Sequence, residues 1–147
     1  MADTVSPEVR SFIMSRIRSE GTGPELELRS QCEAFRLPFV PNDRSLPGSP
    51  DLAFHDGRLA VFVHGCFWHG CPEHHRTPST RPEFWRAKIE RNRERDARDR
   101  RRLNRMGWSV MAVWEHEVRA GAGKVAARIA RRLARVRGRN TTLRAAR

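Results

Sequence analysis

The chain has 147 residues, 38% of them hydrophobic, and carries a net charge of +12, with 27 arginines and two lysines against 17 acidic residues. That is enough for one domain with a real core and too little for two; with only short apolar runs and a polar, acidic opening MADTVSPEVR, neither a membrane span nor an export signal is expected, and the expected location is the cytoplasm. After Glu117 no acidic residue follows while nine arginines lie between Arg119 and Arg147, a composition that faces a polyanion, and three cysteines argue against a disulfide scaffold and leave metal binding or burial.

Four helical segments and three strands can be read in chain order. A first helix opens at Ser6-Pro7 with Val9, Phe12, Ile13 and Ile17 on one stripe, and Met14 falls off that stripe. A second begins at Thr22, whose spacing to Glu25 is that of a capping box, and runs to about Phe35; Leu28, Cys32 and Phe35 share a stripe, which makes Cys32 a core residue. Strands over 51–54 and 58–63 flank Asp56-Gly57, a two-residue hairpin turn. The third helix runs from about Pro82 to Met106 and stops at Gly107, followed by WSVMAVW over 108–114, apolar on both faces and expected as a central strand. A fourth helix carries Val125, Ile129, Leu133 and Val136 and is basic elsewhere. The expected organisation is one domain over 1–137 with a basic, disordered tail over 138–147, in which a sheet is covered by helices, class α/β or α+β.

Chemistry gathers at a few places. With Asp56-Gly57 as a two-residue turn, Asp51 faces Phe62 and has His64 as its diagonal neighbour on the same face, so a carboxylate and an imidazole meet at a sheet end, whereas a three-residue loop would put them on opposite faces. In the third helix Asn92 and Asp96 fall in the same sector as Trp85, Ile89 and Leu103, where the buried face should be. Asp96 is there either to pair with an arginine or to support a metal-bound water or a catalytic imidazole, and Glu25 has the same two readings beside its capping role. The stretch VFVHGCFWHGCPEHH, residues 61–75, places Cys66, Cys71 and His74 within nine residues, and His116 past the last strand is the remote candidate for a fourth Zn2+ ligand; two buried free cysteines are the alternative. Phe67 and Trp68 would then stay outside the core as wedges or stacking platforms for bases, as would Met14.

Taken together, SLPGSPDL, VFVHGCFWHGC, EFW followed by KIERNRERD, and GWSVMAVWE resemble the very-short-patch (Vsr-type) mismatch repair endonucleases from about Thr4 to His116. The resemblance implies an α/β fold similar to restriction endonucleases of the PD-(D/E)xK type: a central mixed sheet flanked by helices, with a structural zinc site. It implies a Mg2+-dependent nick on the 5′ side of the thymine in a G:T mismatch left by deamination of 5-methylcytosine. By position, Asp51 becomes the ligand bridging two Mg2+ ions, with the main-chain carbonyl of Val63 as second ligand. His64 and His69 handle phosphate and water protons, His69 as general base, with Glu25 and Asp96 in support. Met14, Phe67 and Trp68 become the wedge, and Trp85 a flanking aromatic or a core residue. One Zn2+ falls to Cys66, Cys71, His74 and His116, although the cysteine spacing is shorter than in the best-known members, which have a cysteine in place of His116; His69 or His75 can stand in for His74. The superfamily lysine is absent, its strand ending in Val63-His64. Implied partners are duplex DNA with a G:T mismatch, other mismatch-repair proteins and a paired cytosine methyltransferase, with the protein a monomer. Two rival readings are a zinc-stabilised module that binds distorted DNA without cutting, and an endonuclease with restriction specificity.

Overall fold

The computed structural model describes residues 23–73 and 77–145, with the backbone alone at 137 and 139–145. The first helical segment, Met14, Thr22, His74 and His75 lie outside the described residues. The remainder forms three helices and four strands: α1 (Gly23–Ala34), β1 (Val40–Pro41), β2 (Leu52–Phe54), β3 (Leu59–His64), α2 (Pro82–Arg105), β4 (Ser109–Trp114) and α3 (Glu115–Ala145). None of these helices is long and apolar enough to cross a membrane.

The sheet is mixed, in the order β1-β2-β3-β4, with β1 and β2 each antiparallel to the next strand and β3 parallel to β4. Leu52 pairs with Val61 and Phe54 with Leu59, which is the register that follows from a turn centred on Asp56-Gly57. The turn itself differs from the expected tight type. It spans 55–58, closed by a bond from Arg58 N to His55 O, and the left-handed residue is Arg58, with φ 50°, rather than the glycine. Gly57 is required for another reason: a Cβ there would sit 2.5 Å from Leu133 Cδ2 of α3.

Alternation along the strands splits the core in two. Leu52, Phe54, Leu59, Val61, Met111 and Val113 face Leu28 and Cys32 of α1 and the apolar stripe Val125, Ile129 and Leu133 of α3. The other face, with Ala53 and Ala60 buried and Phe62 and Val110 partly so, packs on Leu103 of α2, with Trp108 and Leu46 closing the cluster. WSVMAVW therefore has apolar residues on both faces because helices cover both, and not because it is central: β4 ends the described sheet, a correction to the expected arrangement. Phe35 also departs from its stripe. It follows the last residue of α1 and is 46% exposed, whereas Leu28 and Cys32 are fully buried.

Two further details shape the region around the site. α3 is interrupted at Gly121, whose φ of −179° and ψ of 82° are extended, and then continues as helix through residues 138–145, assigned to a tail above. The loop between β1 and β2 is tied by Asp43, which accepts bonds from Ser45 N at 3.0 Å and Ser45 Oγ at 2.5 Å and pairs with His55 Nε2 at 2.6 Å.

Candidate active site

Asp51 stands just ahead of β2, and its Oδ2 accepts the backbone N–H of Val63 at 2.7 Å, which fixes the carboxylate against β3. Glu25, on the first turn of α1, is 3% exposed and comes up beside it. Burial first, and then the neighbouring charge of Glu25, push the Asp51 carboxyl up to about 7. Two carboxylates thus share a low-dielectric place, and the positive charge there comes from Arg29, 3.8 Å from Glu25 Oε2. An oxygen-rich, net negative place of this kind suits a hard divalent cation.

His64, at the end of β3, and His69, in the loop that follows, lie ring on ring. His69 Nδ1 is 2.5 Å from Asp96 Oδ2 on α2, so a carboxylate from the opposite wall holds the second imidazole. Burial, reinforced by His69, drives His64 down to about 4 and leaves it neutral near pH 7. For Asp96 burial acts upward, but the hydrogen bond and charge of His69 outweigh it and hold the carboxyl below its ordinary value. An ionised Asp96 keeps the proton of His69 on Nδ1 and leaves Nε2 as an acceptor. His64, His69 and Asp96 bring one ligand atom each within 4.8 Å of one another. Stacked parallel rings direct their lone pairs side by side rather than at one point, which suits proton transfer better than coordination. These groups line a cleft of about 680 Å³, between the sheet face bearing Phe62 and the α2 wall bearing Arg93 and Arg100.

The same loop builds two other features. Parallel pairing of β3 and β4 places Cys66 and His116 at one sheet edge, with His116 Nδ1 3.3 Å from Cys66 Sγ and 3.6 Å from Cys71 Sγ. Burial pushes the Cys66 thiol up to about 11, so a thiolate there calls for the charge of a metal. Two sulfurs and an imidazole nitrogen fit Zn2+. The other nitrogen of His116 meets Glu73 at 3.5 Å. Phe67 and Trp68 are half-buried and belong to neither core cluster. They pack edge-on with centroids 5.1 Å apart, against Trp85 at 5.4 and 6.1 Å. Trp85 in turn meets the exposed Phe84, so it extends this aromatic cluster rather than the core.

Asn92 donates to the Trp68 carbonyl at 2.9 Å, which explains one polar residue on the inner face of α2, as His69 explains Asp96. Three participants carried no signal strong enough to single out. Arg29 looks like half of an ordinary surface i, i+4 pair with Glu25. Glu115, whose Oε1 accepts the Cys66 N–H at 3.0 Å, reads as a helix-start acid. Lys88, whose Nζ lies 5.2 Å from the Trp68 ring centre, sits among arginines.

Comparison with known proteins adds the family. Residues 2–77 match the family model described as DNA mismatch endonuclease Vsr. DNA mismatch endonuclease Vsr of Escherichia coli strain K12 is 43% identical over 123 residues, 81% of this chain and 77% of its own length. Type II nicking enzyme V.XorIIP of Xanthomonas oryzae pv. oryzae is 42% identical over 120 residues, 80% of this chain and 88% of its own. Type II nicking enzyme V.NaeI of Lentzea aerocolonigenes is 41% identical over 113 residues, 74% of this chain and 68% of its own. With more than half of its length matched by the family model and such relatives aligned along most of it, the chain belongs to the Vsr family of DNA mismatch endonucleases.

Proposed function

We propose that this DNA-cleaving hydrolase is a Mg2+-dependent endonuclease that nicks duplex DNA on the 5′ side of the thymine in a G:T mismatch. The observation that carries the reading is one loop holding three parts together: His69 facing the cleft of Asp51 and His64, the aromatic pair Phe67 and Trp68, and the Cys66, Cys71 and His116 cluster. Mere binding of distorted DNA needs no buried carboxylates beside a phosphate, which sets the non-cleaving module behind.

Asp51, with the Val63 carbonyl, would hold Mg2+, and Glu25 would support it from beside Asp51. When bound, the cation neutralises charge that develops on the phosphate oxygens. The remaining work falls to the chain. His69, oriented by Asp96, takes a proton from water at Nε2, and Asp96 offsets the charge that His69 gains. His64, neutral and aligned with His69, offers hydrogen bonding to the phosphate. Exposed arginines of α2, such as Arg93 and Arg100 at the cleft, contribute affinity without sequence preference. Met14, Phe67 and Trp68 enter the stack at a wobble pair, which resists unstacking less than a Watson–Crick pair.

Zn2+ on Cys66, Cys71, His116 and His74 would staple the loop to the start of α3. The fold is proposed to be of the restriction-endonuclease type, in a single domain over 1–137, acting as a cytoplasmic monomer with a paired methyltransferase upstream of the lesion. End-labelled duplexes differing only in G:T or G:C at one pair, incubated with Mg2+, test the activity. A nick confined to the G:T duplex is expected; equal cutting of both would favour restriction specificity, and binding without cutting the non-cleaving module.

A further inference from the structure

Every arginine whose side chain is described is exposed, except Arg29. Its side chain retains only 13% exposure, in a protein where arginine otherwise coats the surface. The guanidinium contacts three residues that line the cleft. Nη2 donates to Asn42 Oδ1 at 3.0 Å and to the main-chain carbonyl of Asp51 at 3.2 Å, and lies 3.8 Å from Glu25 Oε2. Hydrogen bonding alone does not account for this placement, because Arg29 Nε is buried with no partner among the described residues. Charge does: two carboxylates held together at a buried site are stabilised by a nearby cation, and among the described residues Arg29 is the cation placed against them.

We propose that Arg29 is a positioning residue and resident counter-charge for the Glu25 and Asp51 carboxylates, one that keeps them in place without a divalent cation and lowers the affinity with which such a cation binds. The proposal rests on the reading of Asp51 as a metal ligand. Two hydrogen bonds and one ion pair from one guanidinium join α1, the β1 end and the start of β2, so Asp51 is presented to β3 before any metal arrives. The cost is electrostatic. At a pH where Asp51 is ionised, the guanidinium cancels one unit of the negative charge that would draw in the ion, so tight occupancy is deferred until a phosphodiester adds its own charge.

Mn2+ titrated into the DNA-free full chain, with free Mn2+ followed by electron paramagnetic resonance, tests this apart from activity. Mn2+ prefers oxygen donors, so the cysteine cluster does not compete for the signal. Arg29→Met should bind Mn2+ roughly tenfold tighter, as removal of one nearby unit charge from a partly buried site predicts. The same variant should melt lower without Mn2+ and gain more from its addition, whereas Arg29→Lys, which keeps the charge, should retain the wild-type affinity. Unchanged or weaker Mn2+ binding by Arg29→Met would reduce Arg29 to a structural strut and overturn the proposal. Should Arg29→Met fail to fold, Arg29→Gln decides the matter by the same comparison. Asp51→Asn separates the two levels: Mn2+ binding that survives it removes the metal reading and the proposal together, whereas binding lost in Asp51→Asn and unaltered in Arg29→Met removes the Arg29 proposal alone.

Discussion

The imidazoles of His64 and His69 stack with centroids 4.0 Å apart and planes within 3° of parallel, while Asp96 grips only the second of them. Two rings at that separation do not both carry charge readily. Their surroundings differ: an ionised Asp96, held below its ordinary value, bonds to Nδ1 of His69, whereas burial disfavours a proton on His64. The proposed mechanism uses this difference, with His69 as the proton acceptor and His64 as the neutral hydrogen-bonding partner.

Asp96→Asn tests that division. The amide keeps the size of the side chain but can donate to His69 Nδ1, which favours the wrong tautomer and takes the acceptor away from Nε2. Single-turnover nicking of a G:T duplex should fall by about 10²-fold or more, with binding of the same duplex nearly unchanged. A loss of only a few-fold would show that His69 needs no carboxylate to act.

The proposed zinc site is checked by removing one of its candidate ligands. His116→Ala should lower both zinc content and melting temperature, since a closed structural site contributes folding free energy. One zinc per chain at an unchanged melting temperature would place the ligands elsewhere.

Asp43 provides a pH-dependent measure of stability outside the cleft. Ser45 first, and His55 as well, hold its carboxyl below the ordinary value against the opposing effect of burial. A carboxyl depressed in the folded state adds stability above its unfolded value of about 3.9, and loses it as pH falls through the lower folded value. Asp43→Asn should therefore melt below wild type at pH 6, and the gap should close in the acid range below about pH 4. A gap that stays constant down to pH 2 would mean the loss came from packing and not from the charge.

How far these features were legible depends on the range over which each is determined. The β2–β3 register follows from one local turn, and the α3 stripe from Val125, Ile129 and Leu133, so both could be read from neighbouring residues. The place of β4 in the sheet could not, because an apolar pattern reports coverage of two faces and says nothing of edges. β1 is two exposed residues, one a proline, with no pattern to read. Arg29 is the clearest case: its spacing from Glu25 fits a surface pair on any helix, and only the approach of Asn42 and Asp51 from distant chain makes it internal.

Gly57 illustrates the same point in a form open to measurement. Its role is to let Leu133 pack against the turn, and a Cβ 2.5 Å from Leu133 Cδ2 must displace a side chain only 4% exposed. Gly57→Ala should cost about 1–3 kcal/mol, as overpacking of a core does, read from denaturant midpoints. The cost should shrink in a Leu133→Val background, because the clash and the γ-branch are then removed together. Strict additivity of the two substitutions would mean that the glycine serves the backbone of the turn instead.

Trp68 links the aromatic cluster to the chemistry. Its carbonyl is held by Asn92 and the next residue, His69, by Asp96, so the main chain of the loop is anchored independently of the indole. Truncating the ring should then leave the base where it is and remove only what the ring does. If the ring enters the stack beside the mismatch, the step it must open costs a few kcal/mol in a paired duplex and less where pairing is already lost. Trp68→Ala should therefore cut G:T duplexes far more slowly than wild type, recover much of that loss on a duplex with an unpaired thymine, and retain its full zinc content. The indole also packs on Trp85 and under Lys88, so a structural role predicts something different: a lowered melting temperature and the same proportional loss on every substrate. That second pattern would move discrimination away from unstacking and onto hydrogen bonds to the mismatched bases.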